Sequence, residues 1–140
     1  MKTLSQSILV LIASSLLWGA SASAKPGKVE AQTPKVIAMY FYADWCAACK
    51  ALDPKFSKAR EKFDKDAFLY AKMDVTNLAT SHQSGLLAAG LGLKDLFDKT
   101  GVKTGFVYLV NPETNEVVDT IKRSASADVM AGKIKTALGS

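Results

Sequence analysis

Apolar residues along this chain change their spacing from segment to segment, and each spacing predicts an element. Residues 8–17 are mostly apolar, follow a lone Lys2 and lead to the small residues Ala22-Ser23-Ala24. That pattern reads as an export signal, 1–24, cleaved near Ala24. Its apolar core is short and broken by serines, whereas a membrane span needs about 20 apolar residues. Residues 25–34 hold Pro26 and Pro34 and little apolar content, and read as a linker. From 35 to 140 one domain is expected. Residues 35–42 are Val, Ile, Met and aromatics with no polar alternation after Lys35, which predicts a central strand buried on both faces. Leu52, Phe56, Ala59 and Phe63 then recur at helical spacing, predicting an amphipathic helix to about 62–64 with Pro54 kinking it.

Residues 67–73 predict a second strand ended by Asp74. Residues 76–100 pass through Gly85, Gly90 and Gly92 and predict one or two helices with a break near those glycines. Residues 106–110 and 116–121 flank Asn-Pro-Glu-Thr-Asn and form a predicted hairpin. Ser126 caps a last helix with Val129, Met130, Ile134 and Leu138 on one face. The order β-α-β-α-β-β-α defines an α/β domain. Strands alternating with helices call for parallel crossovers, and the hairpin adds an antiparallel edge. The expected product is a four-stranded mixed sheet with helices on both faces.

The formal charge of +5 changes this picture little. Lys50, Lys55, Lys58, Arg60, Lys62 and Lys65 are interleaved with Asp53, Glu61, Asp64 and Asp66. This is a solvated face rather than a one-sided basic patch, so no nucleic-acid partner is expected. The lone His82 sits in a polar stretch and reads as a surface residue.

The two cysteines matter more. Cys46 and Cys49 fall where the first apolar run stops and the helical pattern starts. A disulfide there closes a ring worth only about 2 kcal/mol of chain constraint, against about 3 for a fifteen-residue loop. A staple is therefore a poor explanation. Two thiolates supply half of a tetrahedral metal site, and one His does not complete it. A reversible two-electron couple fits better, because a helix N-terminus favours the thiolate of a Cys placed on it. Asp44 is expected to cap that helix, Tyr40 and Phe41 to lie in the core, and Trp45 to form a partly exposed rim.

Ala43-Asp44-Trp45-Cys46-Ala47-Ala48-Cys49-Lys50 at a strand-to-helix junction, Pro54 eight residues after Cys46, and the element order resemble the thioredoxin superfamily. The motif is most similar to the C-terminal thioredoxin-like domain of bacterial thiol:disulfide interchange reductases. The resemblance implies a thioredoxin-like fold and an exported protein-disulfide oxidoreductase without a cofactor or metal. Cys46 would be the exposed nucleophile, Cys49 the resolving thiol, Trp45 a shield for the sulfurs, and Lys72 a supporting lysine near the pair. Ala47-Ala48 lacks a His beside Cys46, which favours a reducing or interchange role. Implied partners are disulfide-containing exported proteins and a membrane thiol reductase as electron donor, in the periplasm or outside the cell. A monomer is expected.

Three departures from the family accompany the match. Tyr40 stands where a buried carboxylate is common, and Asp53, four residues after Cys49, is the substitute candidate for proton relay. Thr104-Gly105 occupies the substrate loop, where the family carries a cis-proline, so a trans peptide and a changed loop are expected. The spacer between Asp74 and Gly105 is longer than in a minimal thioredoxin, with the extra residues around Leu78 to Gly92. A non-catalytic binding module and a metal- or cluster-binding protein of the same fold remain the alternatives.

Overall fold

The computed structural model describes residues 33–63 and 67–139. The predicted signal and most of the predicted linker lie outside them. The first strand, β1 (Val36–Tyr42), is buried from Val36 to Phe41. Its uniformly apolar sequence follows from this, since successive side chains point to opposite faces and both faces are covered. Tyr40 looks towards α1 (Ala47–Arg60), with its ring centroid 6.0 Å from that of Phe56. Phe41, on the other face, stacks at 6.0 Å on Phe97 of the helix spanning Lys94–Thr100. Helices therefore cover both faces.

Helix α1 runs through Pro54 and closes in a 3₁₀ turn, Glu61–Phe63. The second strand, β2 (Phe68–Asp74), returns parallel to β1. The stretch after it forms two helices, α2 (Leu78–Gly90) and α3 (Lys94–Thr100), broken at Leu91–Leu93. The polar residues that open it have a structural cause. Asn77 accepts a hydrogen bond from the Thr80 N–H and donates its own N–H to Thr80 Oγ1, closing a capping box. Helix α2 buries only Ser84, Gly85 and Ala88, and a Cβ on Gly85 would lie 3.5 Å from the Phe97 ring. The face that α2 turns inward is thus made of small residues.

The strands β3 (Phe106–Val110) and β4 (Val117–Lys122) complete a sheet of order β2-β1-β3-β4. The expected parallel crossovers hold only for β1 and β2, because β3 runs antiparallel to β1. The two helices between β2 and β3 bring the chain back reversed on the far side of β1. Strand β4 starts one residue later than predicted, and its pairing with β3 has a register shift at Leu109/Val110. Helix α4 (Ala127–Leu138), capped by Ser126, packs beside α1. It buries Met130, Ala131, Ile134 and Ala137, while Val129 is 53% exposed. Met130 and Ile134 of the predicted face are thus buried and Leu138 packs partly against the core, while Ala131 and Ala137 take the place expected for Val129. No described helix is long and apolar enough to cross a membrane.

Candidate active site

At the C-terminal end of β1 the chain turns through Ala43-Asp44-Trp45 into α1, and Cys46 and Cys49 are joined there as a disulfide with Cα atoms 5.2 Å apart. Asp44 does not cap the helix as expected. Cys46 is itself the N-cap, in extended conformation, and its sulfur accepts the Cys49 N–H at 3.1 Å. Asp44 is instead an acceptor for the Tyr42 hydroxyl at 2.7 Å.

The two sulfurs differ in their polar surroundings. Cys46 Sγ faces a backbone donor, which favours a thiolate. Cys49 is fully buried, and its Sγ lies 3.7 Å from the Phe41 carbonyl oxygen. Once reduced, a thiol at 49 has an acceptor there, which favours keeping its proton. The geometry thus assigns different protonation preferences to the two ends of one couple. Cys46 was expected to be exposed, yet only 7% of it is. The loop before β3 packs over it, fixed by the Gly105 N–H donating to Phe41 O at 2.9 Å.

Trp45 is 60% exposed, and its Nε1–H donates to the Thr76 carbonyl at 3.2 Å. Thr76 is a residue the sequence reading missed. Its hydroxyl accepts the Asp44 N–H at 3.0 Å, and its own N–H donates to Asp74 Oδ1 at 2.9 Å. The Asp74-x-Thr76 spacing of an Asx turn was the only local signal for it. Burial pushes the Asp74 carboxyl up, but hydrogen bonds from Thr76 and Thr80, with Lys72 nearby, outweigh this and hold it below its usual value.

Tyr40 is fully buried and its hydroxyl donates to the Cys49 carbonyl at 3.2 Å. Burial, then the charge of Asp53, pushes its pKa well above the ordinary phenol value. It stays protonated and ties the first turn of α1 to the sheet. Asp53 is exposed on α1, and its charge also bears on the Tyr42 and Tyr70 hydroxyls. Lys72 lies with its Nζ 3.4 Å from the Tyr42 ring centroid and 4.0 Å from Asp74 Oδ2. Its described contacts are thus with the end of the sheet, not with a sulfur. Thr104 is half-buried and Gly105 is buried beside Cys46, joined without a cis peptide. Among the described residues no three His, Cys, Asp or Glu side chains converge as a metal site requires.

The thioredoxin family model matches residues 27–85, which include the Cys46–Cys49 turn. Thioredoxin-like protein 1 of Schizosaccharomyces pombe is 32% identical over 81 residues, covering 55% of this chain and 26% of that protein. Protein disulfide-isomerase A3 of Gallus gallus is 46% identical over 43 residues, covering 30% of this chain and 8% of that protein. Thioredoxin of Coprinus comatus is 39% identical over 41 residues, covering 29% of this chain and 39% of that protein. The chain therefore spans well under half the length of each of these curated relatives. The crystal structure of a thiol:disulfide interchange protein of the thioredoxin family from Chlorobium tepidum superposes with a TM-score of 0.54 at 17% identity, covering 76% of this chain and 82% of that one. That likeness is one of fold. Together with the Cys-x-x-Cys pair at the β1–α1 turn and the sheet order, the thioredoxin family match over residues 27–85 supports a place for this chain in the thioredoxin superfamily.

Proposed function

We propose that this chain is an exported thiol–disulfide oxidoreductase working in the reducing or interchange direction. The observation that carries the reading is the polar asymmetry of the couple, a donor on Cys46 Sγ and an acceptor beside Cys49 Sγ. In the reduced protein the Cys46 thiolate attacks one sulfur of a partner disulfide. A Cys46–partner S–S bond forms, the partner's own S–S bond breaks, and the departing sulfur leaves as a thiolate that takes a proton. Cys49, losing its proton, then attacks Cys46 Sγ, re-forms the internal disulfide and releases the partner's second thiolate. Two electrons pass to the partner, and a dithiol donor must restore them. A membrane thiol reductase is the proposed donor, and disulfide-containing exported proteins are the proposed substrates. Asp53, one turn beyond Cys49 on α1 and open to water, is the proposed relay for the Cys49 proton.

Insulin reduction with dithiothreitol as donor tests the activity. Wild-type protein should accelerate it and Cys46→Ala should not, whereas equal rates for the two would leave a binding module. Cys49→Ala should accumulate a mixed disulfide with the partner, visible by mass. Export is tested separately by fractionation, which should find a protein beginning at Lys25 outside the cytoplasm.

A further inference from the structure

Gly105 and Ala48 come closer together than two side chains can. Gly105 has φ +89°, and a Cβ built on it would lie 2.6 Å from Ala48 Cβ and 3.5 Å from Cys46 Sγ. Ala48 is one of the two residues between the cysteines, and its methyl is rigidly attached to the first turn of α1. It cannot rotate away as the tip of a long side chain would. Any side chain at 105 must push α1 or lift the loop. Lifting the loop strains the Gly105 N–H bond to Phe41 O, the carbonyl that also faces Cys49 Sγ.

We propose that Ala48 and Gly105 are a matched positioning pair for the exchange reaction. The bare Cα of Gly105 lets the loop before β3 seat against the methyl of Ala48. That seating fixes the turn between the cysteines and puts no side chain of residue 105 beside Cys46 Sγ, where a Cβ would lie 3.5 Å away. The residue at 48 is therefore limited by the residue at 105, and together they set how large a group reaches the sulfur. This rests on the exchange reading above. The contact acts through geometry at both sulfurs, so it bears on small thiols as well as on protein partners.

The test uses the wild type, Gly105→Ala, Ala48→Gly/Gly105→Ala and Ala48→Val. Three readouts are compared: insulin reduction, alkylation of reduced Cys46 by iodoacetamide, and the equilibrium potential against glutathione. Gly105→Ala should slow both reactions at least tenfold. The double variant should recover most of that loss, because removing the Ala48 methyl relieves the 2.6 Å approach even though the φ of 105 stays unfavourable. Ala48→Val, which leaves Gly105 untouched, should slow both reactions and move the potential. A double variant no faster than Gly105→Ala, or Ala48→Val at the wild-type rate, overturns the pairing. Should Gly105→Ala not fold, a folded and active double variant supports the pair, and an unfolded one overturns it by assigning the whole requirement to φ. A wild type inactive on insulin would remove the exchange reading instead, while the alkylation comparison would still decide the pair.

Discussion

Tyr40 shows how one side chain at this site is positioning rather than reactive. Its hydroxyl is buried on the Cys49 carbonyl, and its raised pKa keeps the proton in place. Tyr40→Phe should cost about 1 kcal/mol of stability, read from the denaturant midpoint. The pH profile of exchange should stay where it is, and a shifted profile would mean that the hydroxyl does take part in proton transfer. Asp53 is the converse case, exposed on α1 and proposed as the proton relay. Asp53→Asn should slow collapse of the mixed disulfide by roughly 100-fold, the low end of what a positioned proton-transfer group contributes. An unchanged collapse rate would take Asp53 out of the chemistry. At this scale the sequence displayed the cysteines, because their spacing and junction are local. Thr76 and Ala48 stayed hidden because their roles come from segments distant along the chain.

Among the elements, β1 and α1 were legible because one is apolar throughout and the other has a helical stripe. Helix α2 was legible as a helix broken near Gly90 and Gly92, but its inward face was not, since that face is made of Ser84, Gly85 and Ala88, whereas Leu78 and Leu86 are 88% and 62% exposed. Hydrophobic periodicity reads such a helix poorly, because an inward face of small residues carries little apolar signal. The β4–α4 contact gives an acid-sensitive prediction. Lys133 on α4 holds the Asp119 carboxylate of β4 at 2.6 Å, and this hydrogen bond, against a smaller upward push from burial, keeps Asp119 below the usual carboxylate range. Its stabilising contribution is complete above the unfolded value of about 3.9 and is lost as pH falls through the lower folded value. Asp119→Asn should therefore be less stable than wild type at neutral pH, with the gap closing in strong acid. A gap that persists there would assign the loss to packing.

For the molecule as a whole, the layers meet on β1, with Phe41 stacked against Phe97 and Phe106 and edge-on to Tyr108. Phe41→Ala should cost about 3–5 kcal/mol and loosen the strand end that supplies the carbonyl beside Cys49. Thermal denaturation checks the cost, and a change below about 1 kcal/mol would show that the aromatic stack is not what joins the layers. The α/β order was readable, but the direction of β3 was not, because crossover rules are stated for parallel neighbours. Two helices in the β2–β3 connection removed that condition.

Exchange at this site requires Cys46 to be the ionised end of the couple while Cys49 keeps its proton. The most direct measurement is the pH dependence of alkylation of the reduced protein by iodoacetamide, with the modified residue identified by mass. Cys46 should react first, with an apparent pKa below the ordinary thiol value of about 8.5. Preferential modification of Cys49, or a Cys46 that titrates at or above that value, would contradict it.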